Sequence, residues 1–484
     1  MKWGEFLLEI GCEDLPDWSG EYFRENWLPL LREELLKKRI PYQDLEFFST
    51  GRRLAVICSH FGLEQEDVVE EVSGPPVSSG FNSDGTPTPV AIGFARAHGV
   101  KVEELIEKER KGRMVLVAVK RIGGQSARNL IVTVINQSLA RLEIPRAMSW
   151  GKQEIRFIRP VRWVLLLLER KLVPGEILGV RTSRKTFGHR IRSPQAFMVS
   201  SLSDYLDKLK QSGVLLRLDS RKEAVVNSLQ QKISKGSHFD QGQVEQVCRS
   251  VEFPLVTLGG IREEFRKLPP EVVGAVINKL RGIPIYQKGT YVNFGIVLEG
   301  IESEVIRQNY EKVLADRLDD ATFFLAQDWK KPLLAFKEDL RRIVYHPRWG
   351  SLYDRVERFA AMAKVVVNKT FISEQEKEKL MVTINLCKND LGTQMVTEFP
   401  SLQGIIGRIY ASREGYPDEV SQAIEQHYWP RSAGDRIPAG FIGSLIAVID
   451  RLEGLVCFFL DGGQISGAGD PFGLKRAANG LIDI

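Results

Sequence analysis

Residues 387–394, CKNDLGTQ, place an Asn-Asp pair in an apolar-patterned, helix-like stretch. A His-Asp pair in such a place, joined by His and carboxylate side chains from neighbouring helices, would hold a divalent ion and activate water for phosphoester hydrolysis. Two more residues stand on apolar-patterned helices at suggestive spacings, His427 in IEQHYWP and Asp450 in AVIDRLEGL. The ligand count argues against a working centre. The first position is Asn389, a neutral amide and a poor ligand for a transition metal. Leu352 falls where an earlier His would be needed. No metal ligand and no catalytic residue is assigned. Lys388, Asn389, Asp390, His427 and Asp450 are read instead as a degenerate site, a polar network inside a helical bundle with Asp390 paired to His427. Asp450 lies in a very apolar helix, where an unpaired carboxylate is costly, so it needs a partner there.

A second set of residues suits polyanion recognition. SWGKQEIRFIRPVRW (149–163) interleaves Trp150, Phe157 and Trp163 with Lys152, Arg156, Arg159 and Arg162. TSRKTFGHRIRSP (182–194) adds Arg184, Lys185, His189, Arg190 and Arg192, and STGRR (49–53) supplies Arg52 and Arg53. RNA recognition uses Arg and Lys for phosphates and aromatic rings for unstacked bases. Strand alternation puts Arg156, Ile158, Pro160 and Arg162 on one face and Phe157, Arg159, Val161 and Trp163 on the other. The three aromatics are read as core; the cations and His189 are read as RNA contacts. Residues 145–195 hold twelve Lys/Arg against three Glu, a charge of +9 in a chain of net +5, so the remainder carries −4. A basic block on a mildly acidic body is the electrostatic footprint of a nucleic-acid partner.

Other chemistries lack their motifs. There is no GxxxxGK[ST] loop, no GxSxG, no HExxH, no dinucleotide fingerprint, and neither HIGH nor KMSKS. GAGDPFG (467–473) reads as a helix-entry loop with Asp470 as N-cap and Pro471 at N1. No apolar run is long enough for a membrane span, and the acids of MKWGEFLLEIGCEDLP exclude a secretory signal. Five scattered cysteines without a CxxC pair point to a reduced, cytoplasmic protein.

The elements that must position these residues predict a multidomain α+β protein, with mixed α/β N-terminal and middle domains followed by an all-helical domain. The expected domains are 1–195, with an inserted segment near 62–150 and the basic block at 145–195; 196–340; and 341–484. Phe6–Ile10 reads as a strand and 17–38 as an amphipathic helical region that Pro29 kinks or breaks. Helices are expected near 89–98 and 102–108, a strand at 114–119, a helix at 127–142, and strands at 157–169 and 176–182.

The ordered set LLEIGCEDLP (7–16), TGRRLAV (50–56), IGFARAHGV (92–100), RFIRPVRW (156–163), EFPLVTLG (252–259), RLDDATFFLAQDWKKPL (317–333), EFPSLQGIIGRIYA (398–411) and GDPFGLKRAANG (469–480) resembles the beta subunit of the bacterial tetrameric glycyl-tRNA synthetase. Gly51 and Arg162 depart from the pattern. The resemblance implies a chain that binds and positions tRNA(Gly), while an alpha subunit makes glycyl-adenylate from ATP (with Mg2+) and glycine in an α2β2 assembly. It implies no cofactor on this chain and no membrane partner. It also implies that the helical domain is a degenerate relative of HD-type phosphohydrolases, and that the chain stops before the family's anticodon-binding domain. The rival reading of the residues alone is an HD-type metal-dependent nucleotide phosphohydrolase.

Overall fold

The computed structural model describes residues 2–82, 85–110, 112–122, 124–150, 156–369, 372–432, 434–462 and 473–484. It is a mixed α/β chain of two compact units, the first made of 1–233, 241–257 and 297–302, the second of 234–240, 258–296 and 303–484.

The first unit is organised by an eight-stranded sheet. In spatial order its main path runs Glu176–Ile177, Val180–Ser183, Val161–Leu168, Trp3–Cys12, Arg53–Gly62 and Tyr42–Gln43. The strand Val161–Leu168 pairs antiparallel with Trp3–Cys12 and parallel with Val180–Ser183. Both faces of the sheet are covered, which is why these strands are nearly unbroken apolar runs rather than alternating ones. Phe6, Leu8 and Ile10 pack under Leu28, Leu31, Ile131 and Val134 of two helices. Leu7, Ala55, Leu165 and Leu167 pack under Tyr205 and Leu209 on the other side. The N-terminal helical region is Ser19–Tyr22, a π turn at Phe23–Trp27, and Leu28–Lys37. Pro29, which has no N–H to donate, sits in the first turn of the last segment, and the wide turn just ahead absorbs the break expected there.

A separate three-stranded antiparallel sheet is formed by Val68–Pro76, Ile106–Arg110 and Arg113–Ile122. Residues 102–108, expected as a helix, are instead a 3-10 turn at Val102–Glu104 and the start of a strand. EELIEKER has good helix formers, but pairing from Ile106↔Val117 to Arg110↔Arg113 outweighs that local preference.

The second unit contains the hairpin Ile283–Gln287/Thr290–Gly295, turned by Lys288 and Gly289 at positive φ. The helix Glu304–Asp328 and a 3-10 stretch Leu333–Arg342 follow. From Leu352 onward the described elements are helices, with Val356, Phe359, Leu380, Ile384, Ile442 and Ile446 as their shared core. Among the described residues the expected all-helical region has one exception, the short hairpin Val344–His346/Gly350–Ser351. Its last residue, Ser351, caps the helix Leu352–Val367 in a reciprocal box with Asp354.

Candidate nucleic-acid interface and the buried polar clusters

In the first unit, strand register brings three residues of one sheet face together. Gly11 lies opposite Arg53 on one side and Trp163 on the other. A Cβ at Gly11 would fall 1.9 Å from the Trp163 ring, so only glycine lets the indole lie across the strand. Beneath it, Glu9 accepts hydrogen bonds from Trp163 Nε1, Thr186 Oγ1, Tyr205 OH and Arg53. Arg53 meets Glu252 through two bonds, 2.7 Å from Nε and 3.3 Å from a terminal nitrogen, and Thr50 donates to Glu252 at 2.6 Å. Burial pushes the Glu252 carboxyl up, but the Arg53 guanidinium overcomes this and holds it below its ordinary value.

Arg53 and His189 are therefore not RNA contacts. Arg53 is fully buried, and its donors are spent on Glu9, Glu252, Thr186 and Phe187. His189 is equally buried. Its Nδ1 accepts the backbone N–H groups of Ile191 and Arg192, which fixes the proton on Nε2, the nitrogen that donates to Glu299. Glu299 also receives the N–H groups of Glu252 and Phe253. Glu9, Glu252 and Glu299 escaped the sequence reading. The signal was present in FLLEIGC, because a carboxylate inside an apolar strand needs a partner as surely as Asp450 does.

The other cations do gather. Asp14 accepts two bonds from Arg190, at 2.8 and 2.9 Å. Its carbonyl accepts from Arg159 at 3.1 Å, and Arg52 lies 4.0 Å from its carboxylate. Arg162 pairs with the adjoining Glu13 at 3.3 Å. Three guanidinium groups thus converge on two carboxylates at one turn and a fourth, that of Arg159, on the Asp14 carbonyl, an excess of positive charge. Arg192 is exposed, with its guanidinium 4.2 Å from the Phe253 ring centroid and a bond to the Gly300 carbonyl. Arg184 donates to the Arg170 carbonyl, Lys185 is exposed near Phe187, and Arg156 is exposed on its own short strand. Lys152 lies outside the described residues, as do Asp470 and Pro471 of the expected capping loop. The expected single strand through 156–163 is interrupted at 158–160, so Phe157 and Ile158 are both buried instead of alternating. Phe157 and Trp163 are core residues and Trp150 packs against that core.

In the second unit the five residues of the degenerate site separate into two groups. Asn389 and Asp390 lie in a 3-10 turn, Asn389–Gly392. Asn389 donates to the carbonyls of Leu333 and Asn385. Asp390 accepts the Gly404 N–H and does not meet His427; the expected pairing is replaced by a backbone one. His427 Nδ1 lies 2.7 Å from the Ile424 carbonyl. Asp450 forms the other group, 2.8 Å from Lys388 Nζ and 2.7 Å from Arg355. One turn along the same helix, Glu453 is held by Arg355 at 2.7 Å and Arg358 at 2.7 Å. Burial pushes the Asp450 carboxyl up, yet Lys388 and Arg355 keep it well below the carboxylate range. These residues do not fit a divalent ion. Both Asp450 oxygens face protein cations, Asn389 points its amide N–H groups at carbonyls, and among the described residues no three His, Cys, Asp or Glu side chains cluster.

Burial pushes the Asp390 carboxyl up to about 6. Its folded value exceeds that of an unfolded chain, so folding disfavours the ionised form. Stability from this group is fullest below about pH 4 and declines as pH rises to about 6. Asp390→Asn, which keeps an acceptor for Gly404, is expected to stabilise the protein by roughly 3 kcal/mol at about pH 8 and hardly at all at about pH 4. Urea unfolding at the two pH values checks this; equal effects at both would contradict it.

A family model described as glycyl-tRNA synthetase beta subunit matches residues 6–484. The chain is 35% identical to the glycine--tRNA ligase beta subunit of Moorella thermoacetica, an alignment covering 99% of this chain and 70% of that protein. It is 33% identical to the protein of the same description from Hahella chejuensis (100% and 71% covered) and 34% identical to that from Coxiella burnetii (100% and 71%).

Proposed function

Because the chain belongs to the glycyl-tRNA synthetase beta-subunit family, we propose that it binds and positions tRNA(Gly) for ATP-dependent glycylation by an alpha subunit. The match across 6–484 carries this reading, and the arginine cluster around Glu13 and Asp14 supplies its RNA-facing chemistry. In this reading the pair works in the cytoplasm as α2β2. The alpha subunit holds ATP and Mg2+ and makes the adenylate; this chain binds no cofactor and lacks the adenylation site. The helical domain is a scaffold related to HD-type phosphohydrolases that has given up their metal. The rival hydrolase reading would need converging ligands, and Asp450 is committed to Lys388 and Arg355.

The cluster suits transient phosphate binding. An exposed ion pair is worth about 0–1 kcal/mol, so a phosphate can take Arg190 from Asp14 at little cost, with Arg159 beside it on the Asp14 carbonyl. Arg52, Arg156, Arg162, Arg184, Lys185 and Arg192 extend the contact surface. The double reversal Arg159→Glu/Arg190→Glu is expected to weaken tRNA binding at least about tenfold and to shallow the salt dependence of log K by about 2, one for each lost phosphate contact. Filter binding across a salt series measures both. Unchanged affinity with an unchanged slope would remove this cluster from the interface.

A further inference from the structure

The second unit contains a cavity of about 770 Å³ with five Lys/Arg side chains and two carboxylates in its wall. Its volume suits a small ligand rather than a helix or loop. Both carboxylates are committed: Asp450 to Lys388 and Arg355, and Asp461 to Arg348 at 2.5 Å with His346 at 3.5 Å. The cations are less well matched. Among the described residues Arg451 finds hydrogen-bond partners only in carbonyl oxygens, those of His427, Ala447, Trp429 and Pro430. Arg476 is exposed and makes no ion pair among the described residues, and its charge and that of Arg451 repel one another. Two buried nitrogens in the wall, His427 Nε2 and Trp349 Nε1, have no hydrogen-bond partner among the described residues. A buried polar atom left without a partner costs about 1–3 kcal/mol, so it is kept where something else satisfies it. His427 itself is fully buried.

We propose that this cavity binds a phosphate monoester of a small, flat-ringed molecule of the nucleoside monophosphate class, with the phosphate at Arg451 and Arg476 and His427 Nε2 completing its shell. The aromatic side chains Tyr345, Trp349 and Tyr428 in the same wall offer faces for the ring. His427 and Lys388 line this recessed cavity, whose size suits a small phosphate ester and not the backbone of a duplex. The site binds and does not hydrolyse, since Asp450 has no oxygen free to hold a metal or a water nucleophile.

Proton uptake accompanies binding. His427 is surrounded by Lys388 from the turn after one helix, Asp450 and Arg451 from another, and its neighbour Tyr428. Burial, then the Lys388 charge, hold its imidazole well below the ordinary value, so it is neutral in the free protein, with the proton on Nδ1 facing Ile424. A dianion entering beside Nε2 reverses that balance, and the ring takes a proton to donate to it.

Isothermal titration of the 484-residue chain with AMP, adenosine and inorganic phosphate, in two non-phosphate buffers of different ionisation heat, tests this. AMP is expected to bind at least about tenfold more tightly than adenosine, the equivalent of one charge-assisted contact, with inorganic phosphate weaker but measurable. The AMP enthalpy should differ between buffers, and the difference should shrink in His427→Gln. The exposed-site variant Arg476→Gln should weaken AMP at least about tenfold with an unchanged unfolding midpoint. AMP and adenosine binding alike, no AMP binding, or Arg476→Gln binding AMP as the parent does would each overturn the assignment. So would capture by this cavity of a single-stranded RNA oligonucleotide that AMP does not displace. None of these outcomes bears on the arginine cluster of the first unit, so this proposal and the tRNA-positioning reading fail separately.

Discussion

Arg53→Met destabilises the protein by about 3–5 kcal/mol near neutral pH, the cost of leaving buried carboxylates without their cation. Glu9 would keep its bonds from Trp163, Thr186 and Tyr205, but Glu252 would keep only Thr50 from the cluster. In the parent, Glu252 lies below its ordinary value because of Arg53, so its stabilising contribution is present above about pH 4.3 and is lost as pH falls. Without Arg53 the burial effect, which opposes ionisation, is left against only the Thr50 bond and the Arg52 charge. The penalty therefore grows above about pH 4.3 and shrinks below it. Chemical denaturation at about pH 8 and about pH 5 should show the larger loss at the higher pH. The double variant Arg53→Met/Glu252→Gln should recover part of it. A loss below about 1 kcal/mol at both pH values, the size of a surface substitution, would mean that the cluster is not a buried network.

The second large effect belongs to the other unit. Asp450 and Glu453 are three residues apart on one helix face, where like charges repel. Arg355 lies between them, touching both at 2.7 Å, and packs with its guanidinium 4.2 Å from the Tyr345 ring centroid. Arg355→Met is expected to cost about 3–5 kcal/mol, since Lys388 and Arg358 each retain one carboxylate but nothing screens the pair. Asp450 is depressed far below its ordinary value by Lys388 and Arg355, so the stability it contributes is present above about pH 3.9 and is lost on acidification. The variant should accordingly lie closest to the parent in acid. Adding Glu453→Gln should restore much of the loss. Thermal unfolding of the three proteins decides it, and no recovery in the double variant would show that packing, not charge, is what Arg355 supplies.

What could be read from the chain divides along a physical line. The strands Trp3–Cys12 and Val161–Leu168 were visible because a sheet buried on both faces demands unbroken apolar runs, and the helices after Leu352 because their apolar positions recur at helical spacing. EELIEKER was misread because strand pairing in a small sheet outweighed its helix formers. The polar networks were the least legible. Arg53 meets Glu9 across 44 residues and Glu252 across 199, and no local pattern says which acid answers which base. So Arg53 and His189, taken for RNA contacts on charge alone, are interior, while Arg162 joins the cluster with Arg52, Arg159 and Arg190. At the other site, Asp450 in its apolar helix signalled a carboxylate that needs a partner, and it has two. The partners could come only from the fold: Gly404 for Asp390, Lys388 and Arg355 for Asp450.

In the proposed division of labour a partner subunit performs the chemistry and this chain presents the tRNA. Glycylation of tRNA(Gly) by a family alpha subunit, assayed alone and with this chain added, tests that division most directly. The account predicts glycyl-tRNA only when both chains are present, with the Arg159→Glu/Arg190→Glu variant slowed at limiting tRNA and restored toward parental rates at saturating tRNA. Equal glycylation by the alpha subunit alone, or none with both chains present, would contradict it.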